Sequence, residues 1–362
     1  MNKLIHLLLL SFLLNTFIPA SSESDKGIPT AEVKEITDFV EYVNSKKLRS
    51  SYSPAVSLFW TADEIKQVER IISWIGATCP GLLRLASADH LLSLVRVKEI
   101  NVFHGNRISH AVATSEGDNC IYISDKFFTR DDKLWVLLHE FVHAADDGCY
   151  VAYSKDFVDF AGPTILEARK STSSLAHLKD SRYFNLKESL AYGVAGSFQY
   201  RSAYIPKSIG AELVMPSVEH MLWRKAYSKG KRYFENKTWE FAIKEFSKAA
   251  KISENAPLCH YYLGLCFHEL KQEKKSAEEF LNSVQQFEKL EVPIFESNRT
   301  QALYCYALQL RQVQDYDKAA LVLQKILPYL MGPELNDAKS MIFDSKQKSQ
   351  NKAVGSKLLR NK

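Results

Sequence analysis

Between residues 222 and 343 the chain repeats itself at a fixed interval, which restricts the folds open to it more than any other feature. Gly230, Tyr233, Ala242, Phe246 and Ala249 recur 34 positions later as Gly264, Phe267, Ser276, Phe280 and Ser283. A shared period over five small or aromatic positions means one supersecondary unit used again, and about 34 residues suits two short helices with their turns. The small residues fall where paired helices pack closely. A third copy, with Ala307, Leu310, Ala319, Leu323 and Ile326, follows after nine extra residues placed around 290–299. Such a unit buries its apolar face only against its neighbours, and three copies meet the minimum for a stable array. Residues 336–343 are expected to cap it. The tail from 346 to 362 holds six Lys or Arg and no acid, so 344–362 reads as a basic, flexible end.

Upstream of the array, residues 134–148 read LWVLLHEFVHAADDG and contain His139-Glu140-Phe141-Val142-His143. On a helix, residues four apart share one face, so His139 and His143 can offer two imidazole nitrogens to one Zn²⁺. Glu140 then lies beside that ion as a general base for zinc-bound water. The flanking Leu134, Trp135, Leu137, Leu138, Phe141 and Val142, with no Pro or Gly before Gly148, predict an apolar helix crossing a domain core. A pair of buried structural histidines is the alternative. It would leave Glu140 a costly unpaired neighbour in the absence of a metal.

Tetrahedral zinc needs a third protein ligand and one open position. The metzincin continuation requires Gly at 146 and His at 149, where the chain has Asp146 and Cys149, so that class is excluded. Asp146 is one candidate ligand, although it and Asp147 can instead orient a ligand histidine or cap the helix end before Gly148. Glu188 is the stronger candidate. It begins a second apolar segment, in which Ala191 and Ala195 provide small faces for close helix packing.

These residues carry a resemblance. HEFVHAADD, then YVAYSKDFVDF, then Asn185-x-x-Glu188 with an apolar helix after it, resembles the anthrax lethal factor and Pro-Pro endopeptidase group of gluzincin-type peptidases over residues 121–200. The resemblance implies His139, His143 and Glu188 as zinc ligands, Glu140 as the base and Tyr183 as an oxyanion donor. Two departures stand out: Tyr183 lies closer to the third ligand than the family's tyrosine, and Tyr192 replaces the acidic residue often found one turn after it. The family's substrate preference is therefore not carried over. The 34-residue array resembles tetratricopeptide repeats, which implies a concave surface for a partner or a substrate segment.

Residues 31–47 have helical apolar spacing, and Thr61-Ala62-Asp63-Glu64 opens a helix with a capping-box pattern. Residues 99–103 and 119–124 alternate as strands do, and 121–124 is expected to be the sheet edge along which a substrate peptide extends. His104 and His110 are expected in loops. Residues 1–22 read as a signal peptide: Lys3, an apolar run over 4–17 too short to span a bilayer, and a small-residue end. No later stretch reads as transmembrane. A formal charge of +5 on 362 residues gives no reason to expect nucleic acid. The six cysteines contain no C-x-x-C pair and match no small disulfide framework, which predicts buried thiols. Asn236-Lys237-Thr238 and Asn298-Arg299-Thr300 fit the N-glycosylation pattern.

The expected protein is thus an α+β zincin-like metallopeptidase domain over 24–211, followed by an all-α helical-repeat domain over 222–343. It would be exported, secreted or periplasmic, and would act on peptide or protein substrates as an endopeptidase rather than an exopeptidase, with a protein partner on the repeats. The alternative is a scaffold whose zincin-like domain has lost turnover. Retention of Glu140 between the two histidines argues against that loss.

Overall fold

The computed structural model describes residues 60–86, 93–104, 107–111, 113–116, 120–171, 185–200, 205–253, 256–294, 296–330 and 332–360. The expected signal peptide, the 31–47 helix and Tyr183 lie outside these. The described residues are mostly helical, with five short strands. They divide into two compact units, one holding the residues up to Ala152 with Asp159–Met221, the other Tyr153–Val158 with the residues from Leu222 onward. All five strands belong to the first unit.

The first unit opens with α1 (Ala62–Thr78), held at its start by the capping box. Glu64 N–H donates to Thr61 Oγ1 at 3.2 Å, and Thr61 N–H donates to Glu64 Oε2 at 2.9 Å. Val68, Ile72 and Ile75 form its buried stripe, and α2 (Pro80–Ala86) follows directly.

Five strands come next: β1 (Ser93–Arg96), β2 (Ile100–His104), β3 (Arg107–Ala111), β4 (Ala113–Glu116) and β5 (Cys120–Ile123). β2 and β3 form a separate antiparallel hairpin. His104 and His110 are therefore strand residues, opposite Arg107 and Asn101, and not in loops. The other three strands form one sheet in the order β1-β5-β4. β5 runs parallel to β1, with Ser93 opposite Cys120, and antiparallel to β4, with Ala113 opposite Ile123. The expectation that 121–124 is a free edge is thus incorrect. Both sides of β5 are paired, and its Ile121 and Ile123 are fully buried. Arg96 at the end of β1 donates from Nη2 to Glu64 Oε1 at 2.8 Å and also to Asp125, tying the sheet to α1 and to α3 (Asp125–Phe128).

α4 (Lys133–Ala145) lies against α2, β4 and β5. Val136, Leu137, Leu138, Phe141, Val142, Ala144 and Ala145 are all buried, because a helix apolar on most of its circumference can only sit inside a core. α5 (Lys155–Ser171, entering this unit at Asp159), α6 (Leu186–Tyr200) and α7 (Lys207–Val214) follow. α6 packs on α4, with Ala191, Val194 and Ala195 fully buried. Among the described residues no helix is long and apolar enough to cross a membrane.

The second unit is helical: α8 (Val218–Glu235, entering this unit at Leu222), α9 (Trp239–Ile252), α10 (Pro257–Glu269), α11 (Glu273–Lys289), α12 (Ser297–Gln312), α13 (Tyr316–Ile326) and α14 (Gly332–Arg360). From α9 onward each helix packs on the next. The 34-residue period has a steric cause. A Cβ built on Gly230 would stand 2.7 Å from the Phe246 ring, and one on Gly264 would stand 2.8 Å from the Phe280 ring. In the third copy the corresponding residues are Ala307 and Leu323, both fully buried, so a larger residue on one helix accompanies a smaller one on the other. Small hydroxyls at the repeat positions bond to backbone: Ser276 Oγ donates to Gly264 O, and Ser283 Oγ to Pro257 O, both at 2.8 Å. The nine inserted residues are shared among the C-terminus of α11, the connector before α12 and the N-terminus of α12.

Asn236 is exposed in the turn after α8, whereas Asn298 donates its amide to Tyr153 Oη at 2.9 Å. Cys79, Cys149, Cys259, Cys266 and Cys305 are thiols outside any disulfide, the first four buried.

Candidate metal centre

α4 supplies one stripe of side chains and α6 another. On α4, Trp135, His139 and His143 follow at intervals of four; on α6, Glu188 and Tyr192 do the same. Packing of the two helices brings His139, His143 and Glu188 together. His139 Nε2 stands 3.1 Å from His143 Nε2 and 3.4 Å from Glu188 Oε2, and His143 Nε2 stands 3.3 Å from Glu188 Oε1. These three form the one group of metal-capable side chains found among the described residues.

Two ways of holding the trio set different distances. Direct hydrogen bonds would draw the N···O pairs toward about 2.9 Å. Atoms bound about 2.0–2.1 Å from a tetrahedral zinc stand about 3.3–3.4 Å apart. The N···O separations of 3.3 and 3.4 Å fall in the second range, the 3.1 Å between the two imidazole nitrogens lies below it, and the donor set of two imidazoles and a carboxylate is one that could hold Zn²⁺.

Local sequence explains how Glu188 gets there. Asn185 Oδ1 accepts a hydrogen bond from Glu188 N–H at 2.8 Å, so Asn185 caps α6 and Glu188 occupies its first turn. An anion is favoured at that end of a helix. Burial pushes the Glu188 carboxyl up, but its contacts with His139 and His143 outweigh this and hold it down at about 2. The group is therefore an ionised carboxylate at neutral pH.

Glu140 is 8% exposed and His139 7%, so both are removed from bulk water. Glu140 follows His139 on α4 and is not a member of the close trio. Asp146, the other candidate ligand, is engaged elsewhere. Its Oδ1 accepts from Val151 N–H at 2.8 Å and its Oδ2 from Ala152 N–H at 3.0 Å, clamping the loop that leaves α4. In the turn that leaves α4 the positive φ falls on Cys149, a non-glycine residue at 58°, and not on Gly148. Burial pushes the Cys149 thiol up to about 12, the neighbouring Lys187 only partly countering it, so it remains a protonated structural thiol.

Tyr192 and Trp135 were not among the residues singled out for chemistry, yet both touch the centre. The Trp135 ring stacks on His139 at 5.3 Å and 26°, and Tyr192 meets His139 edge-on at 4.6 Å and 64°. The shared four-residue spacing with His139 and Glu188 was the available signal. No protein-family model matches this sequence, and no curated protein matches it, so a functional reading rests on these residues and their geometry.

Proposed function

We propose that the chain is an exported zinc metallopeptidase of gluzincin type, with a zincin-like catalytic domain and a tetratricopeptide-like array that binds a partner or a substrate segment. The observation that carries this reading is the convergence of His139 Nε2, His143 Nε2 and the Glu188 carboxylate at separations suited to a tetrahedral ion.

His139, His143 and Glu188 would hold the zinc, which when bound supplies a Lewis acid for the scissile carbonyl and acidifies water at the site. Glu140, buried beside the trio, takes a proton from the attacking water as its oxygen bonds to the carbonyl carbon. It delivers that proton to the amine nitrogen as the C–N bond breaks. Asn185 fixes the backbone that presents Glu188, and the Asp146 clamp fixes the exit of α4. The apolar run over 4–17 supports export, which would put the enzyme outside the cytoplasm.

The test is a degenerate peptide library incubated with the zinc-loaded full chain, with and without a chelator, beside Glu140→Gln. Chelator-sensitive internal cleavage is expected, and the variant should keep its zinc while turnover falls by roughly 10² to 10⁴. Zinc-loaded protein that cleaves nothing would instead make the domain a scaffold.

A further inference from the structure

A ligand histidine is ordinarily oriented through its second ring nitrogen, which donates to a carboxylate, a carbonyl or water. For His139 no protein group among the described residues takes that role: its Nε2 faces His143 and Glu188, while its Nδ1 is buried with no protein hydrogen-bond partner among them. The ring is instead enclosed by two aromatics from different helices. Trp135 lies nearly parallel to it from one turn earlier on α4, and Tyr192 presents at 64° from α6. The two also touch each other, with centroids 5.2 Å apart.

We propose that Trp135 and Tyr192 are positioning residues that set the plane of the His139 imidazole, replacing the usual hydrogen bond on Nδ1 by ring contact. The proposal rests on the zinc reading of the centre. Offset stacking and edge-to-face contact each restrict a ring without consuming its nitrogen protons, so together they fix both tilt and rotation about the Cβ–Cγ bond. Tyr192 joins the two helices in this device. It lies one turn after Glu188, so the ring that steadies one ligand is carried by the helix that supplies another.

The work assigned to Tyr192 belongs to its ring and not to its hydroxyl. Tyr192→Phe should therefore leave the centre unchanged, whereas Tyr192→Leu should free the imidazole. Tyr192 is 40% exposed, so the leucine variant removes little buried surface from the core.

The experiment measures the zinc dissociation constant of the full chain by competition with a chromophoric chelator, and the visible spectrum of the Co²⁺-substituted protein. Metal-free samples are first matched by far-UV circular dichroism. Tyr192→Leu should bind zinc about tenfold or more weakly, in the range seen when the support of a ligand histidine is lost, with an altered Co²⁺ spectrum. Tyr192→Phe should stay within about twofold of wild type, since the ring contact survives. Trp135→Leu, with Trp135→Phe as its conservative partner, repeats the comparison from the other helix and serves if Tyr192→Leu does not fold. Wild-type affinity in both leucine variants overturns the brace and leaves the zinc centre intact. Equal weakening in Tyr192→Phe and Tyr192→Leu assigns the effect to the hydroxyl and also overturns it. A wild-type chain that takes up no zinc overturns the metal reading and the brace with it.

Discussion

Replacing Gly264 by alanine should weaken the helical array, and the structure gives both the size of the effect and the way to isolate it. The added Cβ would stand 2.8 Å from Phe280 Cδ1 and 2.9 Å from Cε1 and Cγ, against about 3.5–4.0 Å for carbon atoms in comfortable contact. Phe280 is fully buried and has Tyr261 at a centroid distance of 5.8 Å, while Ser276 Oγ ties the Gly264 carbonyl at 2.8 Å, so neither side can retreat freely. Overpacking of this kind costs about 1–3 kcal/mol. Alanine in a helix interior recovers about 1 kcal/mol relative to glycine. The net effect should be a loss of up to about 2 kcal/mol, a few degrees in melting temperature for a unit of this size. With Phe280→Leu in place the clash disappears, and Gly264→Ala should become neutral or stabilising by up to about 1 kcal/mol. The double variant reproduces the Ala307 and Leu323 pair of the third copy. Urea unfolding of the four full-length proteins, followed by circular dichroism, would give a coupling of about 1–3 kcal/mol. Coupling below about 0.5 kcal/mol, or a stabilising Gly264→Ala in the parent, would refute the steric account.

Two further outcomes follow from the same contacts. Asn185→Ala removes the acceptor for Glu188 N–H, so it should lower stability by about 1 kcal/mol in thermal melts and weaken zinc binding, with Asn185→Asp retaining both. Cys79, Cys149 and Cys266 have thiols pushed up by burial from 9.0 to about 12, which makes the native state hold protons that the unfolded chain releases. Their contribution is therefore complete below about pH 9 and lost as pH rises toward 12, so urea midpoints should fall between pH 8 and 11. A flat profile over that interval would contradict burial of the thiols.

Some of this organisation could be read from the residues because the signal is periodic. The Gly and Phe positions recur at 34 because each glycine admits the next helix's ring, and His139 and His143 share a face because they are four apart. The approach of Glu188 was readable through Asn185, a local cap with a local signature. Sheet order was not, since the centrality of β5 is decided by β1 and β4, whose short sequences SLVR and ATSE carry little pattern of their own. Asp146 was ambiguous for a related reason. Its partners are backbone groups of Val151 and Ala152, which any side chain there would present equally. Trp135 and Tyr192 acquire a role only once α4 and α6 face each other.

In the proposed centre, three side chains from two helices hold one zinc ion. Elemental analysis of the purified full chain, set beside Glu188→Ala at matched folding by circular dichroism, tests it most directly. One zinc per chain is expected in the wild type, with loss of most of it in Glu188→Ala, because removal of the carboxylate leaves, among the described residues, the His139 and His143 pair on α4. Full zinc stoichiometry in Glu188→Ala, or none in the wild type, would contradict it.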